Sequence, residues 1–92
     1  MDGLPIEEKC NIDYKSENKG VMHACGHDAH LTIALGLCKI LNKFRYRLKV
    51  NVKFIFQPGE EIGGGKIIIN NGVLENPKVD YIFALHGAPH LL

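Results

Sequence analysis

Ninety-two residues with eleven basic and ten acidic side chains carry a formal charge of +1, which bounds the chain at one small domain. No basic stripe or acidic tail accompanies that near-neutral balance, so composition supplies nothing to attract nucleic acid or a membrane surface. Three cysteines at wide spacing, Cys10, Cys25 and Cys38, are an odd number unsuited to a disulfide framework and fit a reducing cytoplasm.

In chain order, the N-terminal stretch holds Asp2, Glu7 and Glu8 and lacks a basic region ahead of an apolar core, so no signal peptide is visible. Ala29 to Phe44 places Ile33, Leu37, Ile40, Leu41 and Phe44 at helical spacing and predicts an amphipathic helix, with His27 and Asp28 at its start. The longest apolar stretch, Leu31 to Leu41, is interrupted by Lys39 and is too short to span a bilayer. Lys43, Arg45, Arg47, Lys49 and Lys53 gather around Phe44 and Tyr46 and read as a solvated helix end, with cations at the negative end of the helix dipole, in preference to an anion site.

Val50 to Phe56 alternates, turns wholly apolar and stops at Gln57-Pro58-Gly59, the pattern of a strand ended by proline and glycine. Gly63-Gly64-Gly65 leads into Lys66 to Gly72, read as a short helix with a glycine stop, although an isoleucine triplet also suits a strand. After the turn signal Glu75-Asn76-Pro77, Val79 to Leu85 reads as another strand. Helix, strand, helix and strand in succession predict an α/β fold, a fragment of a mostly parallel β-sheet flanked by helices, in which ligands bind beyond the carboxyl ends of the strands. Glu60, Glu61 and His86 fall at such ends.

The chemistry follows from which residues share those ends. Cys25 and His27 are separated by one glycine, which lets the backbone turn so that both side chains face one point. Either alone is ordinary, a small core hydrophobe or a satisfied imidazole. Thiolate, imidazole and carboxylate together suit a borderline-soft divalent ion such as zinc, manganese, cobalt or nickel, and a thiolate also bridges two ions. Adjacent carboxylates such as Glu60 and Glu61 are commonly just a solvated turn; beside a dication, one can coordinate while its neighbour points elsewhere and takes a proton from acidified water. His86 closes an apolar segment where a further ligand is needed, whereas His23, His30 and His90 have weaker claims as supporting or surface groups. A cysteine nucleophile at Cys25, near a helix start and beside histidine, is the rival chemistry, and it leaves Glu60, Glu61 and His86 without a task.

Met1-Asp2-Gly3-Leu4-Pro5, Gly20 to His30 with its Cys-Gly-His-Asp-Ala-His string, Phe56-Gln57-Pro58-Gly59-Glu60-Glu61, and Leu85-His86 with Pro89 resemble, in order and spacing, the M20 metallopeptidase family. The likeness is greatest to its amidohydrolase branch of N-acyl-amino-acid, hippurate and auxin-conjugate hydrolases and acetyldiaminopimelate deacetylases, and it runs over nearly the whole chain. The resemblance implies a two-metal centre in which Cys25 bridges and His27, Glu61 and His86 are further ligands. Glu60 is then the unligated general base that activates water and protonates the leaving amine. Asp2 resembles the family's carboxylate that orients a ligand imidazole, and Asp28 is placed with it as a supporting carboxylate.

Metal-assisted hydrolysis of the amide bond in a small N-acyl amino acid or peptide is the activity so implied, with full-length relatives expected to be homo-oligomers. Gly3 and Gly59 stand where the family commonly has alanine. The family's segment before Asp2, its lid domain and its remote ligand histidine have no counterpart in these residues, and His90 lies too near His86 to replace that histidine. Residues 1–92 are therefore expected to be a partial catalytic domain, and the competing expectation is a truncated remnant that holds metal incompletely and does not turn over.

Overall fold

The computed structural model describes residues 2–88, and its regular structure is helical. Helix α1 runs from His27 to Lys43, two residues earlier than the hydrophobic period indicates, because the chain turns at Gly26 with φ 76° and enters the helix directly. That left-handed conformation suits glycine alone without strain, and Asp28 then lies in the first turn against the positive end of the helix dipole. The Phe44 amide donates to the Leu41 carbonyl at 3.0 Å, and the helix passes into a 3-10 turn over Arg45–Arg47.

Helix α2 spans Gly64–Asn70, which decides between the two readings of its isoleucines. It ends as the glycine stop predicts: Gly72, with φ 77°, donates to Ile69 at 2.9 Å and Val73 donates to Ile68 at 3.0 Å, the paired bonds of a Schellman motif. Its start lies at Gly64, not Lys66, because the Gly64 amide donates to the Gly59 carbonyl at 2.7 Å. A 3-10 turn over Glu60–Ile62 fills the step between that contact and the helix.

Leu4 and Met22 form an antiparallel bridge, with bonds of 2.8 and 3.1 Å. The loop between them is closed by two carboxylates, Glu7 accepting from the Gly20 amide at 2.6 Å and Glu8 from the Ser16 amide at 2.7 Å. These ties hold Asp2 beside the segment that enters α1, where the His23 imidazole donates from Nδ1 to the Asp2 carbonyl at 2.8 Å.

Residues 50–56 and 79–85, the two expected strands, exchange no sheet hydrogen bonds among the described residues, where the Leu4–Met22 pair is the sole bridge. Alternation and an apolar run mark a face for burial; a ladder also needs a second segment whose free amides and carbonyls stand in register with it. The solvated basic cluster also needs correction at Lys53. Its ammonium donates to the carbonyls of Val73, Glu75 and Pro77 at 2.9, 2.6 and 3.0 Å, holding the turn that contains the cis Asn76–Pro77 bond. Arg45 lies 4.3 Å over the Tyr46 ring and donates to its hydroxyl at 2.6 Å.

No large apolar side chain is buried among the described residues, and Gly64 is the one buried residue there. The accessible surface is 8258 Å², against about 5,300 Å² for a compact monomer of this mass. A radius of gyration of 15.9 Å similarly exceeds the roughly 12 Å usual for this length. No described helix is long and apolar enough to cross a membrane. Cys10, Cys25 and Cys38 are all free thiols.

Candidate metal centre

The ends of four segments meet at one cleft of about 430 Å³, lined by Asp2, by His27 and His30 of α1, by Phe56 and Glu60, and by His86. Asp2 reaches it through the Leu4–Met22 bridge, and His27 is the first residue of α1. Gln57-Pro58-Gly59 leads into the 3-10 turn that carries Glu60 and Glu61, and residues 79–85 deliver His86.

Two groups of metal-donor atoms form there and share His27. Cys25, His27 and His86 bring one donor each within 4.8 Å of one another, and Asp2, His27 and Glu60 do the same. Sulfur and nitrogen donors about 2.3 and 2.0–2.1 Å from one tetrahedral zinc lie about 3.6 Å apart. Cys25 Sγ and His86 Nε2 are separated by 3.6 Å. The His86 ring is set for this task, since its Nδ1–H donates to the Gly87 carbonyl at 2.7 Å. The neutral ring then presents a bare lone pair at Nε2.

His27 supplies the second test of fit. Its side chain is 11% exposed, and Nε2 is buried without a hydrogen-bond partner among the described residues. Glu60 Oε2 lies 3.6 Å away and Glu61 Oε1 3.9 Å, both beyond a good hydrogen bond and close to the separation of two ligands on one ion. A buried nitrogen left in this way costs about 1–3 kcal/mol, and a cation shared with the carboxylates removes that cost. The donor set of thiol, imidazoles and carboxylates fits a first-row divalent metal.

Several positions differ from the sequence expectation. Glu60 and Glu61 do not diverge: on the 3-10 turn both long side chains reach back to the same imidazole. Glu60, expected outside the ligand set, falls in a donor group with Asp2 and His27, whereas Glu61 belongs to neither three-donor group among the described residues. The Glu61 amide donates to Asp2 Oδ2 at 2.8 Å and thereby fixes the turn. Asp2 thus holds the Glu61 peptide, and no hydrogen bond joins it to a ligand imidazole among the described residues; the contact with His23 uses its backbone carbonyl.

Asp28 is exposed in the first turn of α1 and joins neither donor group; its carbonyl accepts from the Thr32 hydroxyl at 2.9 Å. His90 lies outside the described residues. His30 gains importance, packing its ring centroid 4.7 Å from that of His86 and accepting the Gly87 amide at Nε2 at 2.9 Å. The available signal was its spacing, three residues beyond His27 on one helix.

The acidic surroundings act on the thiol. Hydrogen bonding to the Glu61 carboxylate, desolvation, and the charges of Glu61, Glu60 and Asp2 hold the Cys25 thiol above its ordinary pKa in the metal-free chain. A divalent cation reverses that balance by favouring the thiolate.

Comparison with known proteins follows the same segments. The model of Peptidase family M20/M25/M40 matches residues 1–92. The chain is 47% identical over 93 aligned residues to an N-acetyldiaminopimelate deacetylase of Ligilactobacillus salivarius, covering 99% of this chain and 24% of that protein. It is 45% identical over 89 residues to thermostable carboxypeptidase 2 of Saccharolobus solfataricus, covering 94% and 22%. Over 92 residues it is 45% identical to an N-acetylcysteine deacetylase of Bacillus subtilis, covering 99% and 24%. The chain therefore spans about a quarter of the length of these curated relatives. No solved structure matches it. With the match running from the first residue to the last, through every segment that brings a donor to the cleft, the chain belongs to peptidase family M20/M25/M40.

Proposed function

We propose that this chain carries the metal-holding and proton-transfer part of a hydrolase that cleaves the amide bond of N-acyl amino acids. The observation that carries this reading is the donor group of Cys25, His27 and His86, in which the buried Nε2 of His27 has no hydrogen-bond partner among the described residues. Relatives named as deacetylases of N-acetyldiaminopimelate and N-acetylcysteine support the substrate class.

Cys25, His27, Glu61 and His86 would hold two divalent ions, with zinc, manganese, cobalt and nickel all compatible with this mixture of sulfur, nitrogen and oxygen. When bound, the metal supplies a Lewis acid that polarises the acyl carbonyl and acidifies water. Glu60, with its side chain 56% exposed against 34% for Glu61, is the carboxylate freer to accept that proton and deliver it to the departing amine nitrogen. Asp2 holds the Glu61 peptide in place, and Asp28 supports the entry to α1. Leu31, Ala34, Ile55 and Leu85 give the cleft an apolar wall suited to an acyl group. Residues 50–56 and 79–85 become strands of a mostly parallel sheet when partner strands lie against them, and the three free thiols support a cytoplasmic location.

A second reading, metal uptake without turnover, is favoured by the absence of any buried apolar side chain among the described residues, since a substrate needs firm walls as well as a metal. One experiment separates the two. These 92 residues replace the matching quarter of the Ligilactobacillus salivarius relative, and hydrolysis of N-acetyl amino acids is assayed with metal content. The enzymatic reading expects chelator-sensitive turnover, with Glu60→Gln retaining metal while kcat falls by about 10²–10⁴ and Glu61→Gln losing metal. Metal uptake with no hydrolysis supports the second reading. Undiminished turnover in Glu60→Gln removes Glu60 as the base, and alkylation that abolishes activity without metal loss would turn the assignment toward a Cys25 nucleophile.

A further inference from the structure

We propose that His30 is a positioning residue that sets the orientation and tautomer of His86, acting through the Gly87 peptide. The inference rests on the reading of His86 as a metal ligand. Its structural basis is that Gly87 is gripped from both sides by imidazoles with opposite roles. His30 Nε2 accepts the Gly87 amide at 2.9 Å, and the Gly87 carbonyl accepts His86 Nδ1–H at 2.7 Å.

Each bond dictates where a proton sits. A backbone amide only donates, so His30 Nε2 is bare and its proton resides on Nδ1; a carbonyl only accepts, so the His86 proton resides on Nδ1 and its Nε2 is bare. That bare nitrogen is the atom 3.6 Å from Cys25 Sγ. The His30 and His86 ring centroids are 4.7 Å apart with planes inclined by 56°, so His30 also supports the ring whose hydrogen bond it orders.

His30 is placed to do this by α1, on which it follows His27 by three residues and so lies on nearly the same face. The His27 and His30 centroids are 5.7 Å apart, and His27 meets His86 edge-on at 5.6 Å. One helix turn therefore presents a ligand at His27 and the support for a second ligand at His30. Residues around His86 form no regular element, and among the described residues Gly87 has its amide anchored only by His30. Without that anchor the Gly87 peptide is free to rotate, and its carbonyl no longer selects the His86 tautomer.

The test compares the full 92-residue chain with His30→Phe, which keeps the ring and loses the acceptor, and His30→Gln, which restores an acceptor oxygen. In the metal-free state, imidazole ¹⁵N shifts report the His86 tautomer: the unaltered chain and His30→Gln should show the proton held on Nδ1, and His30→Phe a mixture. Cobalt titration then gives affinity and the thiolate-to-cobalt charge-transfer band of Cys25. His30→Phe should bind cobalt about 10–100-fold more weakly, with the thiolate band kept, and His30→Gln within a few-fold of the unaltered chain.

In a His86→Ala background, His30→Phe should have no further effect. A His86 tautomer and cobalt affinity unchanged in His30→Phe overturn the proposal, as does an effect of His30→Phe that persists undiminished without His86. Failure of the unaltered chain to bind cobalt with a thiolate band, while the tautomer still responds to His30, overturns the metal reading and leaves the His30–His86 coupling standing.

Discussion

Asp2 Oδ2 accepts a hydrogen bond from the backbone amide of Glu61 at 2.8 Å, joining residues 59 positions apart in the chain. The contact fixes the 3-10 turn whose two carboxylates reach His27, so a residue with one foot in a donor group also sets the position of another. Asp2→Ala removes both contributions and should weaken zinc binding by about 10–100-fold. Asp2→Asn keeps an acceptor oxygen for the amide and should fall between. Competition with a chromophoric chelator measures both, and equal affinity in all three proteins rules out this role for Asp2.

Cys25 gives the metal centre a pH dependence whose sign follows from its neighbours. In the metal-free chain hydrogen bonding to Glu61, desolvation and the surrounding acidic charges raise the thiol pKa, so the folded state holds that proton more tightly than the unfolded chain does. This contribution to stability is fully present below the ordinary thiol value and is lost as pH rises through the raised one. Metal binding requires the thiolate, so zinc affinity should climb with pH, by about tenfold per unit below the raised pKa from this group alone, with release of a proton. Cys25→Ser should remove that component of the slope and the proton release assigned to it. A zinc affinity whose pH slope is the same in both proteins contradicts the assignment of Cys25 as ligand.

How far the sequence carried this picture depends on whether a feature is local. The helical spacing of Ile33, Leu37, Ile40 and Leu41 predicts α1 to within two residues at its start, and Gly72 marks the end of α2 through a left-handed turn that glycine favours. The one-residue gap between Cys25 and His27 also reads locally, because Gly26 supplies the turn between them. Glu60 and Glu61 do not read this way: their common approach to His27 depends on a 3-10 turn tied to Asp2, far away in sequence. The sequence ranks His30 low because its partner is a backbone amide at Gly87, which leaves no mark in side-chain composition. Strand pairing for residues 50–56 and 79–85 is likewise unreadable from either segment alone, since a ladder belongs to two segments.

Gly64 tests whether the position of the acidic turn matters to the site. A Cβ there would run into the Pro58 carbonyl oxygen and come within 2.8 Å of the Gly59 oxygen, both backbone atoms that cannot rotate aside. The same Gly59 oxygen accepts the Gly64 amide, so the clash strikes the contact that closes the turn around Glu60 and Glu61. Gly64→Ala should destabilise the chain by about 1–3 kcal/mol, the usual penalty for overpacking, and should weaken zinc binding with no donor removed. Denaturant unfolding and zinc titration check the two effects. An unchanged affinity shows that the Gly64–Gly59 contact is not needed to hold Glu60 and Glu61 for metal.

The surface of residues 79–85 leads to the last prediction. Tyr81, Ile82, Phe83 and Leu85 are 82%, 67%, 89% and 87% exposed, so an apolar run shows both of its faces, the pattern of a strand meant to be covered on each side. The whole chain exposes 8258 Å², an excess over a compact monomer of roughly 3,000 Å², comparable to the area hidden in obligate interfaces of about 2,000–5,000 Å². Expressed as these 92 residues alone, the chain should bind a hydrophobic dye and associate as its concentration rises. Phe83→Lys, at the most exposed of these positions and outside both donor groups, should reduce dye binding and association while zinc affinity stays within about twofold. Sedimentation velocity and dye fluorescence decide the matter: a monomer at every concentration, without dye binding, would mean that the run is covered in solution by the chain itself.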